Sequence, residues 1–442
     1  MGGGLVEFQP ADFAGREWLP GSQWPVQYEE IAPFYRLSYE NLGLRRETHD
    51  DAAVWRSVSS KCPRLGDQFE VFLTRFLKVP NLAIMYSQQY ENSEAFSVLI
   101  THTVVGFQGS GGRITSVRVS DSFGKKHSVQ GDTFILAAGT VENARLLLHA
   151  AADTSWKCPW RHNPNIGRYF HDHVGGTIAT VQPRDKRKFV EAFSPILRHG
   201  QKYQPKFRLR SGILLRDRIL NIQGIFGVEH SASENLADLK RFVKTALYSG
   251  RVNSLGHLFR NAVACSHYLA PLARRYFLDH RIFVPVESKI SLVIQAEQRP
   301  VAESRLTLDL NSVDVYGLPR VVLDWKLSGD EQQSFLEFAR RADVALRGEG
   351  LASLKIDEDL QAMNPRFLAT LRDTNHQAGG TVMGWSERDG VVDRNLRVFG
   401  TTNLYVAGAS TFRTVSSANV TFTAIAFTTR LVSHLCGEHL TD

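Results

Sequence analysis

Apolar residues along this chain come in short runs closed by glycine or small polar residues. Residues 404–407 (L-Y-V-A) read as a buried strand that delivers its carboxyl end to Gly408-Ala409-Ser410. Residues 133–138 do the same at Gly139, and an apolar helix starts almost at once from Thr140. After Asn419 the apolar positions Val420, Ile425, Phe427, Leu431, Val432 and Leu435 recur at roughly helical spacing, with Ser417 or Asn419 placed as the cap. A helix-like pattern covers 69–77, and β-like runs follow at 81–86, 97–105 and 114–119, broken by 109–112 and 121–125. Residues 180–370 change texture. Strand-like runs at 212–215, 222–228, 282–286, 289–295 and 305–310, separated by polar turns, predict an antiparallel sheet.

One stretch stands apart, a basic helix-like insertion over 236–279. Lys240, Arg241, Lys244, Arg251, Arg260, Arg274 and Arg275 face only Asp238 and Asp279, with apolar residues interleaved. Such a helix either lies on an anionic membrane surface or carries a partner, or else shows a solvated face over a packed stripe. Over all 442 residues the net charge is only +7 and scattered, so nucleic acid is not implied. The four cysteines, Cys62, Cys158, Cys265 and Cys436, are far apart with no C-x-x-C, against a zinc site or a disulfide framework. No apolar run reaches 18 residues, the length a membrane-spanning helix needs.

The chemistry gathers in the last seventy residues. A polar glycine-rich turn, N-H-Q-A-G-G-T-V-M-G over 375–384, precedes G-V-V-D-x-x-L-R-V over 390–398, the strand N-L-Y-V-A-G-A-S and the segment S-S-A-N-V-T over 416–421. In this order and spacing the set resembles the glucose-methanol-choline (GMC) flavin oxidoreductases. N-I-G-R-Y-F-H-D-H over 165–173 resembles that family as well, as do A-E-Q-x-P over 296–300 and G-L-P-R-V-x-L-D-W over 317–325, the last two its sugar- and polyol-oxidising members. The resemblance implies FAD as cofactor, His376 as catalytic base and Asn419 as its partner. The base takes the hydroxyl proton of an alcohol while a hydride leaves for flavin N5, and a histidine suits that task. It also implies cofactor contacts at Gly2, Gly3, Ala138, Gly139, Glu142, Asp172, Gly408, Ala409 and Val420. No metal is implied: His162, His171 and His173 with Asp172 are ligand-type groups, but no further cysteine or carboxylate cluster nearby completes a shell. Trp325, Phe226 and Tyr316 are candidates to stack on a sugar ring, although an aromatic residue in a strand is more often core.

The fold expected is α/β in two domains: a flavin-binding Rossmann-like domain (1–36, 81–179 and 371–442), and an antiparallel-sheet substrate domain (37–80 and 180–370). The amino terminus departs from the family. No G-x-G-x-x-G occurs, and W-P-V-x-Y-E-E-I over 24–31 resembles a helix the family reaches only after its first βαβ unit. The expectation is that this portion is missing, either because the sequence is read from an internal start or because a second polypeptide supplies it in trans. A signal sequence would lie in that portion, so a cytoplasmic location is the default. Val382, Arg413 and Val420 stand where many members have Arg, Pro and Pro. Two readings remain open: an FAD-dependent alcohol or sugar dehydrogenase (less so an oxidase) with an unknown electron acceptor, or a non-catalytic remnant or binding module unable to hold FAD alone.

Overall fold

A computed structural model describes residues 3–44, 50–58, 61–198, 200–229, 266–285 and 287–437. Most of the basic insertion over 236–279 lies outside the described residues, as does Gly2.

The architecture is mixed α/β, with a large antiparallel sheet beside a small parallel one. In the large sheet, β1 (Gly4–Leu5), β2 (Phe69–Phe76), β9 (Gln201–Leu209), β10 (Ile222–Glu229), β11 (Lys289–Ala296), β7 (Val174–Pro183) and β14 (Ala352–Ile356) are neighbours in that order. Two short strands join it, β8 (Ile196–Arg198) on β9 and β15 (Arg372–Asp373) on β7. Period-2 alternation gives the sheet two unlike faces. One carries Phe207, Phe226, Leu292 and Ile294 into a core closed by Phe335, Phe338, Ala339 and Ala342. Each such large side chain contributes about 1.5–3 kcal/mol by leaving water. The opposite face carries Thr74, Gln204, Lys206, Gln223 and Gln295, the last of which reaches Ser417 and Asn419.

Helices α1 (Tyr28–Asn41), α2 (Thr140–Ala152), α3 (Glu331–Gly348) and α4 (Val420–Cys436) supply the main packing faces. The small sheet pairs β6 (Phe134–Leu136) with β16 (Leu404–Val406) in parallel, so both strands end on the same side. A three-stranded sheet, β3 (Thr103–Ser110), β4 (Arg113–Ser120) and β5 (Lys126–Gln130), flanks it, and β12 (Arg305–Val313) pairs with β13 (Pro319–Asp324) as a hairpin. A second core holds the amino-terminal segment down: the rings of Phe8, Phe13, Trp24, Phe412 and Phe427 meet at 5.2–6.4 Å.

Several local expectations fail here. Residues 69–76 form strand β2 where the sequence pattern predicts a helix over 69–77, because both of its faces are covered and the apolar positions lose their alternation. Residues 81–86 hold a short helix, Leu82–Met85, capped by the Asn81 side chain. Strand β3 begins only at Thr103, leaving Val98, Leu99 and Ile100 exposed. Residues 212–215 lie in the helix Ser211–Asp217, and 282–285 form no strand. Phe226, by contrast, is core, the commoner fate of an aromatic residue in a strand, its ring 4.6 Å from that of Phe193.

Candidate functional site

The three separated motifs meet because the glycine-rich turn is clamped on both sides by backbone. His171 and Ala378 exchange both of their peptide hydrogen bonds, at 3.0 and 2.8 Å. Gly380 N–H donates to Arg168 O, while Gly379 N–H and Thr381 N–H donate to Ala409 O and Ser410 O of the turn after β16. Only glycine fits at 379: φ is +78°, and an added Cβ would lie 1.9 Å from Tyr169 O.

His376 therefore projects from a fixed turn. The Asp172 carboxylate accepts its backbone N–H at 2.9 Å and that of Thr374 at 3.3 Å. Its ring Nδ1 lies 2.7 Å from Thr374 Oγ1, and its ring centroid is 5.0 Å from that of His173. Burial, aided by the Lys206 cation, holds the His376 imidazole down to about 4, so it is neutral at pH 7. Burial likewise pushes the Asp172 carboxyl up to about 6, against the backbone donors that favour its charge. His171 and His173 make their ring contacts to backbone carbonyls, of Tyr169 and of Val415 and Ser416. Among the described residues no cluster of His, Cys, Asp or Glu could hold a metal ion.

Asn419 occupies the N-cap position of α4, yet its side chain caps nothing. Its Oδ1 instead accepts from Gln295 Nε2 at 3.2 Å, the same amide that donates to Ser417 O at 2.9 Å. Capping thus does not account for Asn419; the sheet holds it. An added Cβ on Gly4 would sit 3.2 Å from both Asn419 Nδ2 and Thr74 Cγ2, which places β1 against this group.

The two parallel strands open a crevice at their carboxyl ends, the usual ligand side of such sheets. Ala138 and Gly139 are exposed beyond β6, with Gly408 and Ala409 half-buried beyond β16. A Cβ added at Gly139 or Gly408 would meet nothing within 4 Å, and no side chain caps the amino terminus of α2. Asn143 of α2 ties the strand ends together: its Oδ1 accepts from Ala138 N–H at 2.9 Å, and its Nδ2 donates to Ala407 O at 3.2 Å. Glu142 is exposed and pairs with Arg145. Gly3 lies beside the end of β2, its carbonyl accepting from Leu77 N–H. Val420 opens α4 with its side chain in the core.

Sequence reasoning missed Gln295, Lys206, Gln223, Thr74 and Asn143. Polar residues in alternation along a strand normally signal solvent. The available signal was glutamine at paired positions of two adjacent strands, Gln223 opposite Gln295.

Comparison with known proteins agrees with the geometry. Residues 300–428 match the GMC oxidoreductase family model. The chain is 25% identical to the fructose dehydrogenase large subunit of Gluconobacter japonicus, over 74% of this chain and 51% of that protein, so it spans about half of that relative's length. It is 21% identical to the 2-methyl-1,2-propanediol dehydrogenase of Mycolicibacterium austroafricanum, over 96% of this chain and 77% of that protein. Among solved structures, pyridoxine 4-oxidase from Mesorbium loti superposes with a TM-score of 0.53 at 17% identity, over 94% of this chain and 72% of that one. An FAD-dependent oxidoreductase from Chaetomium thermophilum superposes at 0.54 and 13% identity, over 98% of this chain and 84% of that one. The match to the GMC oxidoreductase family model thus lies in the carboxyl-terminal part, residues 300–428, and the chain as a whole shares its fold with these two solved structures.

Proposed function

We propose that this chain oxidises an alcohol group of a sugar, polyol or similar CH–OH compound to a carbonyl, with FAD as cofactor and His376 as base. The observation that carries this reading is that His376 and Asn419 are each held by a residue outside its own motif: Asp172 for the first, Gln295 for the second. The residues fit a flavin dinucleotide. Two strand ends meet in a crevice with glycines where a Cβ would point into open space, beside an uncapped helix amino terminus whose free N–H groups suit a pyrophosphate. Ala138, Gly139, Gly408 and Ala409 would hold it there. When bound, the flavin supplies the hydride acceptor.

The chain's own residues supply the rest. His376 is neutral across the physiological range and so ready to take the hydroxyl proton. In the tautomer this requires, Nδ1–H donates to Thr374 Oγ1 and Nε2 keeps its lone pair for the substrate. Asn419 cannot change charge; with Oδ1 engaged by Gln295, its Nδ2 is left to donate to the substrate oxygen. The test is the visible spectrum of the purified chain after incubation with FAD. Flavin bands that bleach anaerobically with a sugar or polyol support the reading. A colourless protein, or bound flavin that no alcohol bleaches, favours a binding module instead.

A further inference from the structure

The sheet face beneath His376 carries polar atoms that nothing described satisfies. Thr74 Oγ1, and both the oxygen and the nitrogen of the Gln223 side-chain amide, are buried without a hydrogen-bond partner. Lys206, only 8% exposed, has neither a carboxylate nor a hydrogen-bond acceptor among the described residues. The register places these groups together: Thr74 pairs with Gln204, one alternation from Lys206, while Gln223 pairs with Gln295, which holds Asn419. Side chains two apart on neighbouring strands of one face lie within reach of one another. A buried cation without a counter-ion is costly, and buried donors and acceptors in folded proteins are nearly always paired. Three unpartnered polar atoms of Thr74 and Gln223 on the face that carries Lys206, itself within electrostatic reach of His376, describe a site that a ligand completes.

We infer that the substrate carries a carboxylate, that Lys206 binds it, and that Gln223 and Thr74 hold neighbouring hydroxyls, so that a polyhydroxy acid presents its CH–OH to His376 and Asn419. This inference rests on the redox reading of the same site. A lone lysine balances one negative charge, which suits a carboxylate better than a doubly charged phosphate ester. The other charged groups facing Lys206 leave it uncompensated. Lys202 shares its strand and is cationic; Arg208, also on β9, is held by Glu70 and lies near Glu7; His376 is neutral. Burial first, then Lys202, brings the Lys206 ammonium down to about 8.

The probes are gluconate and its uncharged counterpart sorbitol, and the readout is calorimetric binding to the purified chain together with anaerobic bleaching of bound flavin. Gluconate binds more tightly than sorbitol at pH 7. That preference fades as the pH rises past about 8 and the ammonium is lost. Lys206→Met, of similar volume and without the buried charge, keeps the fold and weakens gluconate by about thirtyfold or more, well beyond any effect on sorbitol; Lys206→Arg keeps the preference. Equal binding of the two probes, or a gluconate affinity that Lys206→Met does not alter, overturns the inference. The two readings fail separately. Loss of gluconate binding in Lys206→Met without bleaching in any variant leaves the anion site and removes the redox role. Equal bleaching by sorbitol in parent and variant, without gluconate preference, does the reverse.

Discussion

Asp172→Asn separates what the Asp172 carboxylate does by geometry from what it does by charge. The side chain is 1% exposed, and its oxygen accepts the backbone N–H groups of His376 and Thr374. An asparagine oxygen accepts the same two bonds, so the turn bearing His376 keeps its course. The charge is another matter. Burial raises the carboxyl from 3.8 to about 6, so the folded state favours the protonated form. That stabilisation is complete below the unfolded value near 4 and is lost as the pH rises through 6. Above 6 the folded protein carries an ionised carboxylate that burial disfavours by about 3 kcal/mol, at 1.36 kcal/mol per pH unit. Asparagine never carries that charge. The variant is therefore expected to be more stable than the parent at pH 8, by up to about 3 kcal/mol and roughly 2–6 °C in Tm, with the gap closing toward pH 4. Thermal melts of both proteins from pH 4 to 8 measure this. A variant less stable at pH 8, or a gap that does not change with pH, refutes the reasoning: the turn would then be stabilising the charge rather than tolerating it.

The Arg16–Glu297 pair, fully buried and bidentate, anchors the amino-terminal segment to the end of β11 beside a second buried carboxylate, Asp12. Arg16→Met leaves both carboxylates without their cation and is expected to cost about 3–5 kcal/mol in urea unfolding, most of it restored by Arg16→Met with Glu297→Met; a single variant as stable as the parent contradicts this. Gln295→Leu removes the donor that holds Asn419 and is expected to slow flavin reduction by about five- to hundredfold, the equivalent of 1–3 kcal/mol, with FAD uptake kept; an unchanged rapid-mixing rate would mean that Asn419 needs no holder.

Sequence made the site's core legible because its residues are constrained by backbone. Gly379 faces Tyr169 O too closely for any other residue, Gly139 and Gly408 terminate parallel strands, and His376 sits at a fixed offset from such a glycine. Strands β10, β11 and β12 were legible from β-prone runs between polar turns. What hid was burial on both faces. In β2, Phe69, Phe72, Leu73 and Phe76 repeat at helical spacing only because aromatic and aliphatic groups pack on both sides of the strand. The run 212–215 is too short to reveal a period, so its helix was decided by packing. Lys206, Gln223 and Gln295 hid for a related reason: along a strand, a polar side chain facing a second layer reads the same as one facing water. Asn419 was legible by position, yet the residue that holds it, Gln295, lies far away in sequence.

The central claim is that His376 takes the substrate proton, and anaerobic rapid mixing of the FAD-loaded chain with the best sugar or polyol tests it most directly. His376→Ala is expected to slow flavin bleaching by about 10²–10⁴-fold while dithionite still reduces the bound flavin fully, because a positioned base is worth that much and cofactor binding lies elsewhere. Bleaching by the variant within about threefold of the parent would contradict the assignment and move the proton to another group.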